Sequence, residues 1–181
     1  NVMAKYFQQF PKLEYDIKSD GNVKLATDIF RRIKVRSKVK DNLALLDKYD
    51  VDSGEKPEDV AFKVYGSTDY WYVVCLMNNI VDRNHDWPKS FQAFEEYVND
   101  KYDNPAGIHH YEKLQSSGRL KGQGPGDLNH FIEVDSSDVD GQSVSNYEYE
   151  QRLEDERRQI QILSPNYLSM FEDEMKKLLR T

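Results

Sequence analysis

Between Tyr49 and Asn79 the chain spells out one compact unit, and each part of it has a local physical reason. Tyr49-Asp50-Val51 is an extended start, and Ser53-Gly54 can turn. Pro57 suits the first position of a helix, where its missing N–H would have no partner in any case. Glu58 and Asp59 follow, at the helix end where the dipole favours carboxylates. Val60, Ala61, Val64 and Tyr65 recur at helical spacing on one face. Gly66 can take the left-handed conformation that ends a helix, and Ser67 or Thr68 can cap the next one. Trp71, Val74, Cys75 and Asn78 make a second stripe, stopped at Asn78-Asn79. The stretch predicts a strand, a short helix, a tight turn and a second short helix.

That order resembles a LysM module, the small βααβ domain with a Ser-Gly-Asp start, a Tyr-Gly turn and an Asn-rich end. Val51-Asp52-Ser53-Gly54-Glu55 stands at the strand and first turn, Tyr65-Gly66-Ser67 at the interhelical turn, and Met77-Asn78-Asn79 at the end. Tyr70-Trp71 departs from the sugar-binding LysM pattern, which continues there with small or aliphatic residues. It points to a narrower family. The chain resembles, nearly end to end, the baseplate wedge protein (gene product 53) of T-even-like contractile-tailed phages, in particular the versions in cyanobacterial phages. Early residues that carry this are Tyr6-Phe7, Phe10-Pro11, Glu14-Tyr15-Asp16 and Thr27-Asp28-Ile29-Phe30-Arg31-Arg32. It continues through Asp47-Lys48-Tyr49-Asp50, Gly54-Glu55-Lys56-Pro57, Val64-Tyr65-Gly66, Met77-Asn78-Asn79-Ile80 and Trp87-Pro88. Late in the chain stand Ile108-His109-His110-Tyr111-Glu112, Asn146-Tyr147-Glu148-Tyr149-Glu150 and the run from Ile160 to Pro165. The resemblance implies a non-enzymatic structural subunit of a virion tail baseplate, assembled in the host cytoplasm. It also implies multiple copies in a symmetric baseplate, with other wedge proteins of the same phage as partners.

Composition agrees with such a role. At 181 residues the chain can bury one ordinary core, or a small core with extensions. Twelve tyrosines and eight phenylalanines suit either core packing or protein interfaces, because Tyr joins a large apolar body to a polar tip. A net charge of −7 argues against nucleic acid as a partner. No run approaches the ~20 apolar residues of a membrane span, so no membrane partner is expected. The opening residues lack the apolar stretch of a secretory signal, and the chain reads as soluble and unexported. A single cysteine excludes an intrachain disulfide framework; Cys75, on an apolar stripe beside Val74, reads as a buried and inert thiol.

Outside the central unit, Ile29 to Lys40 alternates. Ile33, Val35 and Val39 fall on one side, and Arg32, Lys34, Arg36, Lys38 and Lys40 on the other. This predicts a half-buried strand whose basic row either docks an acidic partner or discourages unwanted edge pairing. Ser90 caps a further helix carrying Phe91, Phe94, Tyr97 and Val98 on one face, and Asp103 to Gly107 ends it. Residues 108–143 read as short strands joined by polar loops. At the end, Ser164 caps a helix with Pro165 in its first turn and a stripe of Leu168, Phe171, Met175, Leu178 and Leu179. That stripe packs on the chain's own core or in a neighbour's groove.

The expected fold is α+β: a small LysM-like βααβ core with an extended N-terminal arm, a short β-rich region and a C-terminal amphipathic helix. The expected division is an arm with a basic strand at 1–45, the LysM-like module and following helix at 46–104, a β-rich region with a helical segment at 105–163, and the terminal helix at 164–181. No catalytic, cofactor or metal residues are identified. Gly122, Gly124 and Gly126 enclose Pro125 and open no helix, so they do not make a phosphate loop. Asp135, Asp138, Asp140 and Gly141 resemble half a calcium loop, but Tyr147 stands where the closing carboxylate belongs. His109 and His110, adjacent on a strand, are expected on opposite faces, which with His130 leaves no metal site. Candidate partner-interface residues are Arg32, Lys34, Arg36, Lys38, Tyr70, Trp71, Trp87, Leu168, Phe171 and Met175. Two other functions stay open: a peptidoglycan-binding LysM module acting at the host wall, and a wall-degrading enzyme with a cryptic site.

Overall fold

A computed structural model describes residues 6–16, 18–19, 21–29, 35, 45–114 and 131–180. Its elements, in chain order, are β1 (Lys12–Tyr15), β2 (Lys24–Thr27), β3 (Leu46–Asp50), α1 (Pro57–Tyr65), α2 (Trp71–Met77), α3 (Arg83–Asp86), α4 (Phe91–Lys101), β4 (Ile108–Leu114), β5 (Phe131–Val134), β6 (Gln142–Ser145), α5 (Asn146–Arg158), β7 (Gln159–Leu163) and α6 (Leu168–Arg180). Single 3-10 turns at Thr68–Tyr70 and Pro165–Tyr167 lead into α2 and α6. The fold is α+β. The chain divides into two compact units, one built from residues 1–88 and 157–181 and the other from residues 89–156.

In the first unit the predicted local signals operate. Pro57 opens α1, the backbone N–H of Lys56 donates to the Asp59 carboxylate (2.9 Å), and Gly66 closes the helix at φ 73°. Ser67 accepts from the Asp69 N–H (3.2 Å), and Asn79 turns the chain out of α2 at φ 56°. The strand that closes this unit does not follow Asn79, however. β3 pairs antiparallel with β7, more than a hundred residues later, in the register Leu46↔Leu163 to Asp50↔Gln159. The pairing extends at both ends, from the Val51 N–H to the Arg158 carbonyl (3.0 Å) and from the Ser164 N–H to the Leu45 carbonyl (2.9 Å).

The Asn78 side chain joins α2 to this ribbon. Its amide donates to the Val74 carbonyl (2.9 Å) and the Gln161 carbonyl (2.8 Å), and its oxygen accepts from the Gln161 N–H (2.8 Å). Beside it, the Tyr65 hydroxyl donates to the Leu163 carbonyl (2.9 Å). One apolar cluster lies around Val51, Val60, Ala61, Val74, Trp87, Ile160 and Ile162. A second gathers Phe10, Val35, Tyr72, Val73, Met77, Leu163, Met175 and Leu179. Because α2 feeds both, it is buried nearly all round rather than along the one stripe its spacing suggested. The stripe of α6 covers the second cluster through Met175 and Leu179, while Leu178 stays exposed. Ser164 makes no side-chain cap; its backbone serves the ribbon instead. The unit also carries an N-terminal hairpin, β1–β2, whose strand residues are all exposed. The predicted basic strand, with Arg32, Lys34, Arg36 and Lys38, lies outside the described residues; of its apolar positions Val35 is described, and it is buried.

The second unit sets helices α4 and α5 with an antiparallel sheet ordered β5-β4-β6. Ser90 caps α4 by accepting from the Ala93 N–H (3.3 Å), and Phe94 and Val98 are buried, whereas Phe91 is exposed. Val144 is buried too, and charged side chains share this interior. Glu112, Glu150 and Glu154 are all buried. Arg152 donates to both oxygens of Glu112 (2.8 and 2.9 Å). Glu150 accepts from the Lys101 ammonium (2.7 Å) and the Tyr102 hydroxyl (2.8 Å), and Glu154 accepts from the Lys89 N–H. Burial pushes the Glu150 carboxyl up, but Lys101 and Tyr102 outweigh it and hold the group below its ordinary value.

Two outcomes follow. Asn78→Ala leaves the half-buried N–H and C=O of Gln161 without their partner, and should cost about 2–4 kcal/mol. Both tryptophans belong to the first unit, so urea titration followed by tryptophan fluorescence reads that loss. For the second unit the sign is set by the depressed Glu150. The stability it contributes is present above the ordinary glutamate value of 4.5 and fades as pH falls below it. Far-UV circular dichroism between pH 7 and pH 3 should therefore show helix lost in acid, and Glu150→Gln, already destabilised by about 1–3 kcal/mol, should flatten that dependence.

Candidate functional site

The candidate interface residues separate by burial. Trp87 is a core residue: its ring lies in the first cluster, and its indole N–H donates to the Glu55 carbonyl (2.7 Å). Met175 is 2% exposed and packed against its own core. Leu168 and Phe171 are half-buried on the same cluster. Tyr70 and Trp71 are half-buried and pack against both clusters, with Tyr70 set edge-on to Tyr65 and Trp71 edge-on to Tyr6 and Tyr72. Arg32, Lys34, Arg36 and Lys38 are not among the described residues.

Surface that the sequence reading did not single out is more accessible. On the β1–β2 hairpin, Leu13, Tyr15 and Leu25 are 47%, 59% and 69% exposed, with Val23 and Ile29 exposed alongside. Leu13 and Tyr15 project from one face and Leu25 from the other, since Leu25 pairs with Glu14. A two-stranded hairpin is at best marginally stable alone, so apolar side chains standing in water on both of its faces are a cost. The sequence signal was present: Leu13 and Tyr15 alternate with Lys12 and Glu14 ahead of a Ser-Asp-Gly turn.

Among the described residues, the thiol, the acidic turn and the paired histidines each have other engagements. Burial pushes the Cys75 thiol up to about 12, well away from a nucleophilic thiolate. In the acidic turn, Asp135 accepts from the Ser137 N–H and hydroxyl, and Asp138 from Lys113 and the Asp140 N–H, and these bonds hold both carboxyls below their ordinary range. A lysine thus occupies the place where a cation would bind. The histidine pair departs from expectation. A register shift between Ile108 and His110 leaves His109 as an extra residue on β4, and such a bulge undoes strict alternation. The two Nδ1 atoms approach to 2.9 Å, and the His109 ring stacks on Tyr149 at 3.9 Å. Among the described residues no group of three or more His, Cys, Asp or Glu side chains could hold a metal ion. His130 lies outside them.

Glu55 organises the turn between β3 and α1. Its buried carboxylate accepts from the Tyr49 hydroxyl (2.8 Å), the Asp52 N–H (3.0 Å) and the Lys63 ammonium (2.7 Å). The arrangement locks a loop and leaves neither an acid nor a base poised over a cleft. The folded chain should accordingly resist thiol-specific reagents at pH 8, with Cys75 reacting only after denaturation; a chromogenic disulfide assay measures this. Met175→Ala should cost the isolated chain about 2–4 kcal/mol, as expected for a core methionine.

No curated protein matches the chain. A family model described as base plate wedge protein 53, a phage family, matches residues 5–121, which include the hairpin, β3, α1, α2, α3, α4 and β4. With almost two thirds of its length matched, the chain belongs to the base plate wedge protein 53 family, structural proteins of the phage tail baseplate.

Proposed function

We propose that this chain joins other wedge proteins of the same phage, and adjacent wedges, while the baseplate assembles, and that it does so without enzymatic activity. The observation that carries this reading is the β1–β2 hairpin, whose exposed Leu13, Tyr15 and Leu25 have no core of their own. Apolar side chains presented on a slender arm suit docking to a neighbour, where ordering and burial come together. The β1–β2 hairpin then acts as a docking arm anchored by Phe10 and Val35 in the second cluster, and the β3-α1-α2-β7 unit is a LysM-like scaffold used for protein contacts.

That β-α-α-β order also favours the second reading, peptidoglycan binding at the host wall. Against it, Trp71 is turned toward Tyr6 and Tyr72 and is not a free platform for a sugar ring. The partners, the copies in a symmetric baseplate and assembly in the host cytoplasm belong to the first reading.

Complementation tests both. Phage lacking this chain should accumulate incomplete baseplates that the purified protein restores. The double variant Leu13→Asp, Leu25→Asp should lose at least about tenfold in incorporation while the first unit's stability stays within about 0.5 kcal/mol, as for ordinary surface changes. Pelleting with cell-wall sacculi, without association with wedge proteins, would favour the glycan reading.

A further inference from the structure

The two edges of the β3–β7 ribbon are chemically unlike. In an antiparallel ladder, residues alternate between those bonded to the partner strand and those whose N–H and C=O point away. The bonds from Val51 to Arg158 and from Ser164 to Leu45 fix the phase. Gln161 and Leu163 on β7, and Lys48 and Asp50 on β3, therefore face outward. On β7 three of these groups are taken: Asn78 bonds both backbone groups of Gln161, and Tyr65 the carbonyl of Leu163. On β3, no described residue bonds to the backbone of Lys48 or Asp50, and both residues are exposed.

We propose that the outer edge of β3 receives a third strand, contributed by an extended segment of a neighbouring baseplate protein. The proposal rests on the assembly role above and names the surface and binding mode it uses. Main-chain hydrogen bonds to the open positions supply the attachment. Selectivity comes from the side chains. Lys48 and Asp50 share the solvent face of the ribbon, so the incoming strand carries an acidic residue opposite Lys48 and a basic one opposite Asp50. Lys48 also repels strands that lack such a match, as edge lysines do. On β7, Asn78 and Tyr65 already hold the middle of the edge, which sets the β3 edge apart.

Amide hydrogen exchange, resolved by residue, tests this on the wild-type chain free and in assembled baseplates. In the free chain the amides of Asp47 and Tyr49, bonded to β7, should be protected while those of Lys48 and Asp50 exchange rapidly. In baseplates the Lys48 and Asp50 amides should slow by at least about tenfold. Incorporation with these two still exchanging freely overturns the edge pairing and leaves the assembly role standing; failure to incorporate overturns that role and this proposal with it. Protection already in the free chain, together with a dimeric mass, assigns the edge to a second copy and overturns the proposal as well. Lys48→Pro removes an outward N–H without breaking a β3–β7 bond. It should melt like wild type yet incorporate at least about tenfold less well. If it melts early, exchange on the wild-type chain decides alone.

Discussion

A side-chain amide holds the first unit together where a third strand would otherwise be needed. Asn78, at the end of α2, bonds to both backbone groups of Gln161 across 83 residues of sequence. An amide presents a donor and an acceptor side by side, as a peptide group does, so it can imitate one rung of a sheet. The third bond, to Val74, ties that rung to the helix. Through this junction the position of β7 depends on α2, and the burial of Ile160, Ile162 and Leu163 depends on β7. An aspartate offers no donor for the carbonyl, and a leucine offers neither group. The asparagine at the end of α2 is thus a structural requirement of a chain whose closing strand arrives late.

The two units are stabilised by different physics. The first buries aliphatic and aromatic side chains in two clusters around α2, an interaction that changes little with pH or salt. The second buries Phe94, Val98 and Val144 together with three glutamates, and satisfies each glutamate, with Arg152, with Lys101 and Tyr102, and with the Lys89 backbone. Buried ion pairs add little net stability over an apolar core, but breaking one is expensive, so such a unit is specific in geometry and sensitive to conditions.

Much of the first unit was legible because its signals are local. Pro57, Gly66, Ser67 and Asn79 each act within a turn of the chain, and each acts in the structure as its chemistry predicts. The partner of β3 was not legible, because nothing in Gln159–Leu163 distinguishes a strand that pairs across a hundred residues from one that pairs nearby. Helix α5 was expected only as a helical segment without bounds, for another reason. Its inner face is Glu150 and Glu154, so it shows almost no hydrophobic period. Its start was nevertheless written as a capping box, with Ser145 and Glu148 bonding to each other's backbone N–H groups (3.1 and 2.9 Å). Among the interface candidates, sequence could name aromatic and apolar residues but could not tell Trp87 and Met175, which are core, from exposed Leu13 and Leu25. Exposure is a property of the folded chain, and alternation alone does not reveal which face finds a partner.

Electron cryo-microscopy of the assembled baseplate tests the central claim most directly, because it shows what each surface of this chain touches. The account predicts that another baseplate protein covers the Lys12–Thr27 hairpin, burying Leu13, Tyr15 and Leu25, while Asn78 keeps its bonds to Gln161. A baseplate in which the chain is present but its hairpin lies in solvent, with contacts made elsewhere, would contradict the account.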